Sequence, residues 1–425
     1  MSTIKNPTVM SFPLSAKGFA EEMAMQIKQD FPFFREHPDV IYLDNAATTQ
    51  KPEFVLQAMN DFLVKHNANP SRGLYDLSIQ ATQDLESARQ MVAQKLLRYE
   101  PEQVIFTSGA TMSLNLAALL LEPMIGKGDE IAVSVLEHHS NLLPWQNLAK
   151  RKGAKLVWIY PDENGEISVE QVLPVISKKT KVLALTAMSN VLGQLIDIES
   201  ISLAIKKEHP EILVVTDASQ SLAYLPIAAV GDLICFSGHK LFGPTGIGVL
   251  AGRRDLLEKL DPVFVGGGMI EQVTPKSYTA APLPHKFEAG TVNVVGAVGL
   301  EAAIRYKSQW SSLVLYNYIQ SLTGYTIQQL RTIKGLHFLG DERKSPLHTG
   351  ILSFVLDGVH PHDVAAVLAQ EKICVRAGHH CAAVLHQHLG ISASVRVSLA
   401  IYNSAREIDR LAEVLSGVRK KLGHE

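Results

Sequence analysis

The feature that most constrains the fold is a series of short apolar runs, rich in β-branched residues, that alternates with helical stretches from Val40 onward. The runs before Gly252 stand at 40–43, 103–108, 130–135, 155–160, 181–188, 212–217, 233–237 and 247–251, with helical patterns at 78–97, 111–121, 142–151 and 197–208. Most of these runs are apolar throughout instead of alternating with polar residues. Strands of this kind are typical of a mostly parallel sheet that helices cover on both faces. The sequence therefore predicts an α/β domain.

The pattern changes after Gly252. The Gly- and Pro-rich stretch 265–291 is too long and too punctuated to form one helix or strand, and loops of this length are usually functional. A helical segment over about 296–332 precedes apolar runs at 350–356, 372–376 and 394–399 and helices at 361–371 and from Ala405 to about Leu422. These elements predict a smaller α+β domain. Residues 1–14 lack periodicity and predict a loose arm before a helix near 16–29.

Composition excludes several classes of function. Forty Lys and Arg residues oppose 42 Asp and Glu residues, so the net charge of -2 provides no basic surface for nucleic acid or for an anionic membrane. The densest apolar run, Leu116 to Leu121, is far too short to span a bilayer, and the N-terminus shows no signal-peptide core. Three cysteines cannot form a disulfide framework and are compatible with a reducing compartment, so we expect a cytoplasmic protein.

Polar residues follow several predicted strands, at the edge where open parallel sheets bind their ligands. Asp217 and Gln220 come at the end of the run 212–217, where they place a carboxylate and an amide at that edge. An N-cap for the next helix is an equally good interpretation of this pair.

Lys240 lies between two apolar runs, in LICFSGHKLFGPTGIGVL. Desolvation disfavours the charged form of a lysine and lowers its pKa, and the resulting amine forms a Schiff base with an aldehyde. Ser237 and His239 stand beside it and are groups that hold a phosphate. A solvated loop lysine is the simpler alternative.

Two further candidates lie at strand ends. Thr111 opens a helix after a turn of small residues, where free backbone N–H groups would bind an anion. His138, in EHHSNLLPW, could stack on an aromatic ring or move a proton. A surface histidine is an equally good interpretation of His138.

Cys381 is the cysteine with polar neighbours, whereas Cys235 and Cys374 lie within apolar runs and are expected to be small buried hydrophobes. A cysteine near cations can lose its proton and attack as the thiolate. A metal site is the competing interpretation, because histidines crowd the segment 379–388, although their spacing matches none of the usual zinc frames.

Two arginines complete the set of candidates. Arg396 lies inside the apolar run 394–399, and a buried guanidinium needs an anion such as a substrate carboxylate. Arg376 precedes the cysteine segment in VRAGHHCAAVLHQHLG.

The combined motifs identify a family. They are YLDNAATTQKP (42–52), EHHSNLLPW (137–145), SNVLG (189–193), DASQS (217–221), FSGHKLFGPTGIG (236–248), KFEAGT (286–291) and RAGHHCA (376–382). Together they resemble the group II cysteine desulfurases of the SufS/CsdA kind, which are pyridoxal 5'-phosphate (PLP) enzymes of the class V aminotransferase fold. Related epimerases and aminotransferases share the lysine segment but generally lack the cysteine loop, so the combination is highly specific.

The resemblance implies an α/β fold, the PLP-dependent transferase fold type I. A large PLP-binding domain (37–308) would contain a mostly parallel seven-stranded sheet, and a small α+β C-terminal domain (309–425) would carry the cysteine loop. The arm and helix at 1–36 would pack with the small domain. The family also implies a homodimer with shared active sites.

The resemblance also assigns roles around the cofactor. Lys240 corresponds to the Schiff-base lysine, Asp217 to the partner of the pyridinium nitrogen and Gln220 to the contact with the ring phenolate oxygen. His138 corresponds to the residue that stacks on the ring and handles protons. The phosphate would be held by Thr111, Ser237 and His239, with Thr291 from the second subunit.

For the substrate, the family implies that Asn190 and Arg396 bind the carboxylate and that Arg376 lies beside Cys381, the sulfur acceptor. The reaction would convert L-cysteine to L-alanine and leave a persulfide on Cys381. A SufE- or SufU-like acceptor would then take the sulfur for iron–sulfur cluster assembly. No metal is implied.

Some positions differ from the family pattern without removing a reacting group. They are Ser71, Tyr75, Ala110, Met112, Ala187 and Val384. The alternatives are a selenocysteine lyase or another class V PLP enzyme, although Cys381 argues against aminotransfer and epimerisation. The alternative outside enzymes is a metal-binding or iron–sulfur scaffold that uses the His-rich segment.

Overall fold

The computed structural model describes residues 16–71, 73–163, 165–225, 231–340 and 349–423, so the predicted arm at 1–14 lies outside the described residues. The strands are β1 (Ile41–Tyr42), β2 (Val104–Thr107), β3 (Glu130–Ser134), β4 (Lys155–Ile159), β5 (Thr180–Thr186), β6 (Leu213–Asp217), β7 (Leu233–Ser237), β8 (Gly248–Gly252), β9 (Ile270–Val273), β10 (Tyr278–Ala280), β11 (Leu336–Phe338), β12 (Ile351–Leu356), β13 (Ile373–Cys374), β14 (Arg376–Gly378) and β15 (Ser394–Ser398).

The helices follow most of the predicted positions. They are α1 (Ala16–Gln29), α2 (Pro32–Glu36), α3 (Glu53–Asp61), α4 (Asp76–Met91), α5 (Ala110–Leu121), α6 (Leu143–Lys152), α7 (Val169–Val172), α8 (Ile198–Glu208), α9 (Ser221–Tyr224), α10 (Arg254–Lys259), α11 (Val294–Lys307), α12 (Ser312–Leu330), α13 (Pro361–Gln370), α14 (Ala383–His388) and α15 (Ala405–Lys421). In the described part of the chain, none of them combines the length and the apolarity that crossing a bilayer requires.

A seven-stranded sheet organises the larger part of the described chain, in the order β2-β8-β7-β6-β5-β3-β4. The pairs from β4 to β7 are parallel, and β8 runs antiparallel to both of its neighbours. Strands β7 and β8 are buried along their whole length, because helices cover both faces of the sheet. The predicted α/β fold with a mostly parallel sheet is confirmed.

Parallel pairing brings the ends of β5, β6 and β7 to one edge of this sheet. Thr186, the last residue of β5, lies opposite Asp217, the last residue of β6, and Asp217 lies opposite Cys235 of β7. The residues that follow these strands therefore surround one crevice, as the general rule for open α/β sheets expects.

A smaller antiparallel sheet forms in the C-terminal part, in the order β11-β12-β15-β14. Its core includes Phe354 from β12 and Val397 from β15, packed with Leu411 of α15 and with Ala24 of α1. Helix α1 is also tied to α15 by an ion pair between Lys28 and Glu407. The N-terminal helix thus packs with the C-terminal unit, while the predicted boundaries at 36/37 and 308/309 stay predictions.

Two predictions about local structure were wrong. The run 40–43 is not a strand of the large sheet, because β1 pairs in parallel with β13 instead. An apolar run does not encode which partner it finds. The stretch 265–291 contains the antiparallel hairpin β9–β10, whose residues are mostly exposed and therefore lack the apolar signature of a buried strand.

Candidate active site

A cavity of about 370 Å³ opens at the carboxyl edge of the large sheet and gathers nearly all of the candidate residues. Its lining includes Thr111, His138, Asn190, Asp217, Gln220, Ser237, His239, Lys240, Arg376, Cys381 and Arg396. Thr291 does not line it and is exposed on the surface of this chain. Eleven positions that are far apart in the sequence thus meet at one place.

Lys240 is positioned by a tight turn that follows β7. The backbone of Gly238 donates to Ile247, and the carbonyl of His239 accepts from the backbone N–H of Thr49 at 3.0 Å. Burial lowers the pKa of Lys240 to about 8, and the nearby carboxylate of Asp217 opposes part of this shift. Near neutral pH, a larger fraction of this amine is therefore unprotonated and able to react than for an ordinary lysine.

Asp217 ends β6 as a buried carboxylate, with 5% of its surface exposed. One of its oxygens accepts a hydrogen bond of 2.9 Å from the backbone N–H of Ser219. Close by, the Gln220 side chain donates to the carbonyl of Ala46. The Ser219 hydrogen bond thus fixes the orientation of the Asp217 carboxylate, and its other oxygen is available to a ligand in the cavity.

His138 is the N-cap of the turn that follows β3. Its Nδ1 accepts from the backbone N–H of Ser140 at 3.0 Å, which places the ring proton on Nε2. Burial lowers the pKa of His138 to about 3, with Lys240 adding to the shift, so the ring is neutral at physiological pH. A neutral, fixed ring of this kind is suited to stack on a flat ligand.

The start of α5 provides a corner for an anion. The backbone N–H of Ala110 donates to the Ser237 hydroxyl at 2.7 Å, and the hydroxyls of Thr111 and Ser140 lie 2.8 Å apart. A Cβ on Gly248 would lie 2.4 Å from the Cα of Gly109, so glycine is required for this close approach. Backbone donors and hydroxyls together suit a phosphate.

Cys381 is exposed at the cavity on a turn in which both His380 and Cys381 have a positive φ, 52° and 56°. Two hydrogen bonds connect this turn to the segments that follow β5 and β3. The Asn190 amide donates to the His380 carbonyl at 2.7 Å, and the backbone N–H of His139 donates to the Cys381 carbonyl at 2.7 Å. These bonds offset the unfavourable left-handed backbone and hold the thiol over the cavity.

Arg396 and Arg376 converge on one carboxylate that sequence reasoning missed, Asp44. Arg396 is 3% exposed and donates to the Asn190 carbonyl and, at 3.2 Å, to Asp44. Arg376 is about half exposed and donates to Asp44 through Nε and Nη2. Asp44 lies in the motif YLDNAATTQKP. That motif indicated that the segment belongs to the family resemblance, but it gave no role to Asp44 itself.

Sequence reasoning also missed cavity residues whose side chains are small or carry no distinctive chemistry. They are Ala46, Ala47, Thr48, Ser140, Thr186, Met188, Ser219 and Thr245. Ala46 to Thr48, Ser140, Ser219 and Thr245 fall inside motifs of the family resemblance, which was the only sequence signal that pointed to them.

The polar groups of the cavity fit the implied cofactor. In the described part of the chain, five buried polar atoms of lining residues have no hydrogen-bond partner: Asn190 Oδ1, Ser219 Oγ, His239 Nδ1, His380 Nδ1 and Arg396 Nε. Unpaired buried polar atoms are costly, and they concentrate where a ligand completes the bonding. An amine, a buried carboxylate, a flat neutral ring and an anion corner together suit PLP.

The His-rich segment offers no support to the metal-scaffold alternative. Among the described residues, no group of three or more His, Cys, Asp or Glu side chains is arranged to hold a metal ion. Instead, Nε2 of His380 and Nε2 of His386 each lie 3.0 Å from the hydroxyl of Ser394.

Comparison with known proteins gives a consistent result. The family model described as aminotransferase class-V matches residues 41–411. A protein of Streptomyces coelicolor described as a probable cysteine desulfurase is 41% identical over 409 residues, which cover 93% of this chain and 97% of that protein.

Two solved structures are similar along almost the whole chain. The apo structure of a cysteine desulfurase from Thermococcus onnurineus NA1 has a TM-score of 0.88 at 37% identity and covers 93% of this chain and 98% of its own. The cysteine desulfurase CsdA from Escherichia coli has a TM-score of 0.84 at 33% identity and covers 94% of this chain and 98% of its own.

Proposed function

Because this chain belongs to the class V aminotransferase family, we propose that it is a cysteine desulfurase that uses PLP to convert L-cysteine to L-alanine, with transfer of the sulfur to Cys381. The relatives described as cysteine desulfurases support the activity. The observation that carries the assignment of residues is that one cavity holds both the buried amine of Lys240 and the exposed thiol of Cys381.

PLP would be held by Lys240 as its covalent anchor, by Asp217 at the ring nitrogen and by Gln220 at the ring oxygen. His138 would lie against the ring, and Thr111, Ser237 and His239 would hold the phosphate. When bound, PLP supplies an electron sink for the carbon atoms of the substrate. The buried carboxylate of Asp217 maintains that capacity because it favours the protonated ring nitrogen.

The substrate carboxylate is bound by Arg396 and Asn190. Arg396 is buried, retains donors that no carbonyl or carboxylate occupies, and presents a planar fork that matches a carboxylate. Arg376 lies at the mouth beside Cys381. These contacts orient the substrate so that its thiol points to the cysteine turn.

Proton transfer falls to Lys240 and His138. The lowered pKa of Lys240, about 8, allows its amine to take up and release protons at physiological pH. His138 is neutral, carries its ring proton on Nε2 and stands next to the same amine.

Cys381 accepts the sulfur. Its thiolate attacks the sulfur of the substrate, an S–S bond forms, the Cβ–S bond of the substrate breaks, and the carbon keeps the bonding pair and takes a proton. The products are L-alanine and a persulfide on Cys381. The exposure of Cys381 supports release of this sulfur to an acceptor protein of the SufE or SufU kind, for iron–sulfur cluster assembly.

The protein acts as a homodimer in this proposal, in the cytoplasm. Large apolar side chains are exposed on α3, on the turn after it and around the start of α4, namely Phe54, Leu63, Val64, Leu74 and Leu77. Large apolar side chains exposed on neighbouring segments are typical of an interface. Thr291 is exposed as well, which supports a role at the phosphate of the neighbouring subunit.

The test measures sulfide and alanine formed from L-cysteine by the cofactor-loaded protein in the presence of an added thiol reductant, which reduces the persulfide on Cys381 and releases its outer sulfur as sulfide. The parent should form both in equal amounts, and Cys381→Ala should lose turnover while it still binds PLP. The matched control, Cys374→Ala, changes a half-buried cysteine that does not line the cavity and should keep most of the activity.

Mass spectrometry completes the test. After brief exposure to L-cysteine, one added sulfur should map to Cys381, and borohydride reduction should fix the cofactor on Lys240. Normal turnover by Cys381→Ala, or added sulfur on Cys235, would exclude the proposed mechanism.

A further inference from the structure

His139 follows His138 in the sequence, and the two rings carry their protons on opposite nitrogens. Nδ1 of His138 accepts from the backbone N–H of Ser140 at 3.0 Å, so its proton is on Nε2. Nε2 of His139 accepts from the backbone N–H of Ala383 at 3.1 Å. This bond requires that the ring of His139 is neutral and that its proton is on Nδ1.

Both hydrogen bonds of His139 reach the segment that carries the thiol. Its backbone N–H donates to the carbonyl of Cys381 at 2.7 Å, and its side chain binds the N–H of Ala383, two residues later. The ring is partly buried and does not line the cavity. His139 can therefore act on the reaction only through the cysteine turn (379–382) and the residue that follows it.

The cysteine turn needs such bonds because its backbone conformation is unfavourable. His380 and Cys381 both have a positive φ, 52° and 56°, which residues with a Cβ rarely adopt. Conformations of this kind persist only where the surrounding structure holds them in place. The amide of Asn190 contributes one such bond, to the carbonyl of His380 at 2.7 Å, and His139 contributes two more.

We propose that His139 is a positioning residue for sulfur transfer, which holds the cysteine turn through its backbone N–H and its unprotonated Nε2 and so keeps the thiol of Cys381 over the cavity. This inference rests on the proposed function, because it takes Cys381 to be the sulfur acceptor. A nucleophile attacks efficiently only from a defined distance and direction. A loosened turn should therefore slow sulfur transfer without weakening the binding of the cofactor.

The bond to Ala383 should be lost in acidic solution. A protonated His139 would direct an N–H at the N–H of Ala383, and two donors cannot form a hydrogen bond. Burial lowers the pKa of His139, and His379 adds to this shift. The ring is therefore neutral at physiological pH, and the bond fails only as the pH falls below the ordinary range of a histidine.

Other titratable groups lie on the elements around His139, so the experiment has to separate them from it. Helix α5 carries none. The others are Glu137 and His138 on its own segment, His379, Cys381, His386 and His388 on the cysteine turn and α14, Lys150, Arg151 and Lys152 at the far end of α6, and Lys181 near the start of β5.

The experiment measures hydrogen exchange at the amide of Ala383 in the cofactor-loaded protein, by mass spectrometry of overlapping peptides. His139→Leu keeps the volume of the side chain and removes the acceptor, so protection of this amide at neutral pH should fall about tenfold. His139→Gln places an amide oxygen where Nε2 lies and should restore the protection. His388→Ala removes an exposed imidazole from α14 and should change nothing.

Two further measurements use the same variants. As the pH falls from 8 to 5, protection of Ala383 should decline in the parent and stay constant in His139→Gln, whose amide does not titrate. At neutral pH, the kcat for alanine formation from L-cysteine should fall about tenfold in His139→Leu and recover in His139→Gln. The dissociation constant of PLP should be the same in all three proteins, because His139 does not line the cavity.

Unchanged protection of Ala383 in His139→Leu would overturn the inference, and so would a failure of His139→Gln to restore it. A pH dependence that survives in His139→Gln would belong to His379 or His386 and would also overturn it. If His139→Leu folds poorly, the pH series on the parent and on His139→Gln decides the question.

The exchange measurements do not depend on turnover. A parent protein with the expected protection pattern that forms no alanine from L-cysteine would overturn the proposed function and leave the role of His139 in holding the turn established. A parent that desulfurates L-cysteine, together with an unchanged kcat in His139→Leu, would overturn the inference alone.

Discussion

The side chain of Asn190 and the backbone of His380 form a 2.7 Å hydrogen bond that joins the end of the large sheet to the turn carrying Cys381. The carbonyl of the same Asn190 accepts from Arg396 at 3.0 Å. Asn190 thereby connects the end of β5, the guanidinium of Arg396 and the turn that presents the thiol of Cys381.

Replacing Asn190 with Ala should therefore affect binding more than stability. A buried hydrogen bond contributes about 1 kcal/mol, so the free energy of unfolding should fall by roughly that amount. The KM for L-cysteine should rise about tenfold, the factor that corresponds to about 1.4 kcal/mol of lost binding. Steady-state kinetics and urea denaturation measure the two effects. Gln57→Ala removes an exposed amide contact and is the control, and a KM equal to that of the parent would contradict the role of Asn190.

Asp217 should control the ionisation of Lys240. Burial lowers the pKa of Lys240 to about 8, and the charge of Asp217 raises it against that trend. Asp217→Asn removes the charge and keeps the shape, so the pKa of Lys240 in the cofactor-free protein should fall further. The pH dependence of the rate of PLP uptake, followed by absorbance, reports this pKa. Asp255→Asn makes the same charge change on the surface and should leave the profile in place, and an unshifted profile in Asp217→Asn would rule out the coupling.

A buried ion pair should account for much of the stability of the stretch before Thr291. Arg89 is fully buried and holds both oxygens of Glu288, at 2.8 and 2.9 Å, and Glu288 also accepts from the backbone of Phe106. Glu288→Gln leaves the buried guanidinium with Glu86, a partly exposed carboxylate, as its remaining ion-pair partner, so the free energy of unfolding should fall by about 3 kcal/mol. Glu258→Gln breaks an exposed ion pair that water and salt screen, so it should lower the free energy of unfolding far less. Equal effects of the two variants in chemical denaturation would contradict this ranking.

The large sheet could be predicted because its strands are apolar throughout, and that pattern reports burial on both faces. Residues at strand ends, such as Asp217 and Lys240, could be predicted for the same reason, since parallel strands carry their ends to one edge. The hairpin β9–β10 could not, because exposed strands have no apolar pattern. The helical segment over 296–332 proved to be two helices, α11 and α12, separated near Trp310.

Contacts between segments that are far apart in the chain could not be predicted from the sequence. The pairing of Asp44 with Arg376 and Arg396 joins residues more than 330 positions apart, and no local spacing encodes it. The family motif marked the segment around Asp44 as part of the resemblance. Only the fold, through the parallel bridge between Asp44 and Ser398, brings the carboxylate beside both guanidinium groups.

Lys307 is a buried lysine outside the cavity. We expect it to make the free energy of unfolding vary with pH in the alkaline range. It is 7% exposed, and its ammonium donates to the carbonyls of Leu222 and Leu225. Burial lowers its pKa from 10.5 to about 8. Between pH 8 and pH 10.5 the unfolded chain keeps a proton that the folded chain has released, so the free energy of unfolding rises with pH in this window. Below pH 8 both states are protonated and the full cost of burying the charge is present.

Lys307→Met removes this cost and also removes the two hydrogen bonds. The free energy of unfolding of the variant relative to the parent should therefore be most favourable at pH 7 and should decline by up to about 3 kcal/mol as the pH approaches 10. Urea denaturation at intervals from pH 7 to pH 10 measures the difference. Lys207→Met, which replaces an exposed lysine on α8, should show a difference that stays constant across the same range, because water solvates that charge in both states. A constant difference for Lys307→Met as well would mean that the buried ammonium keeps its proton in the folded protein, held by the two carbonyl oxygens.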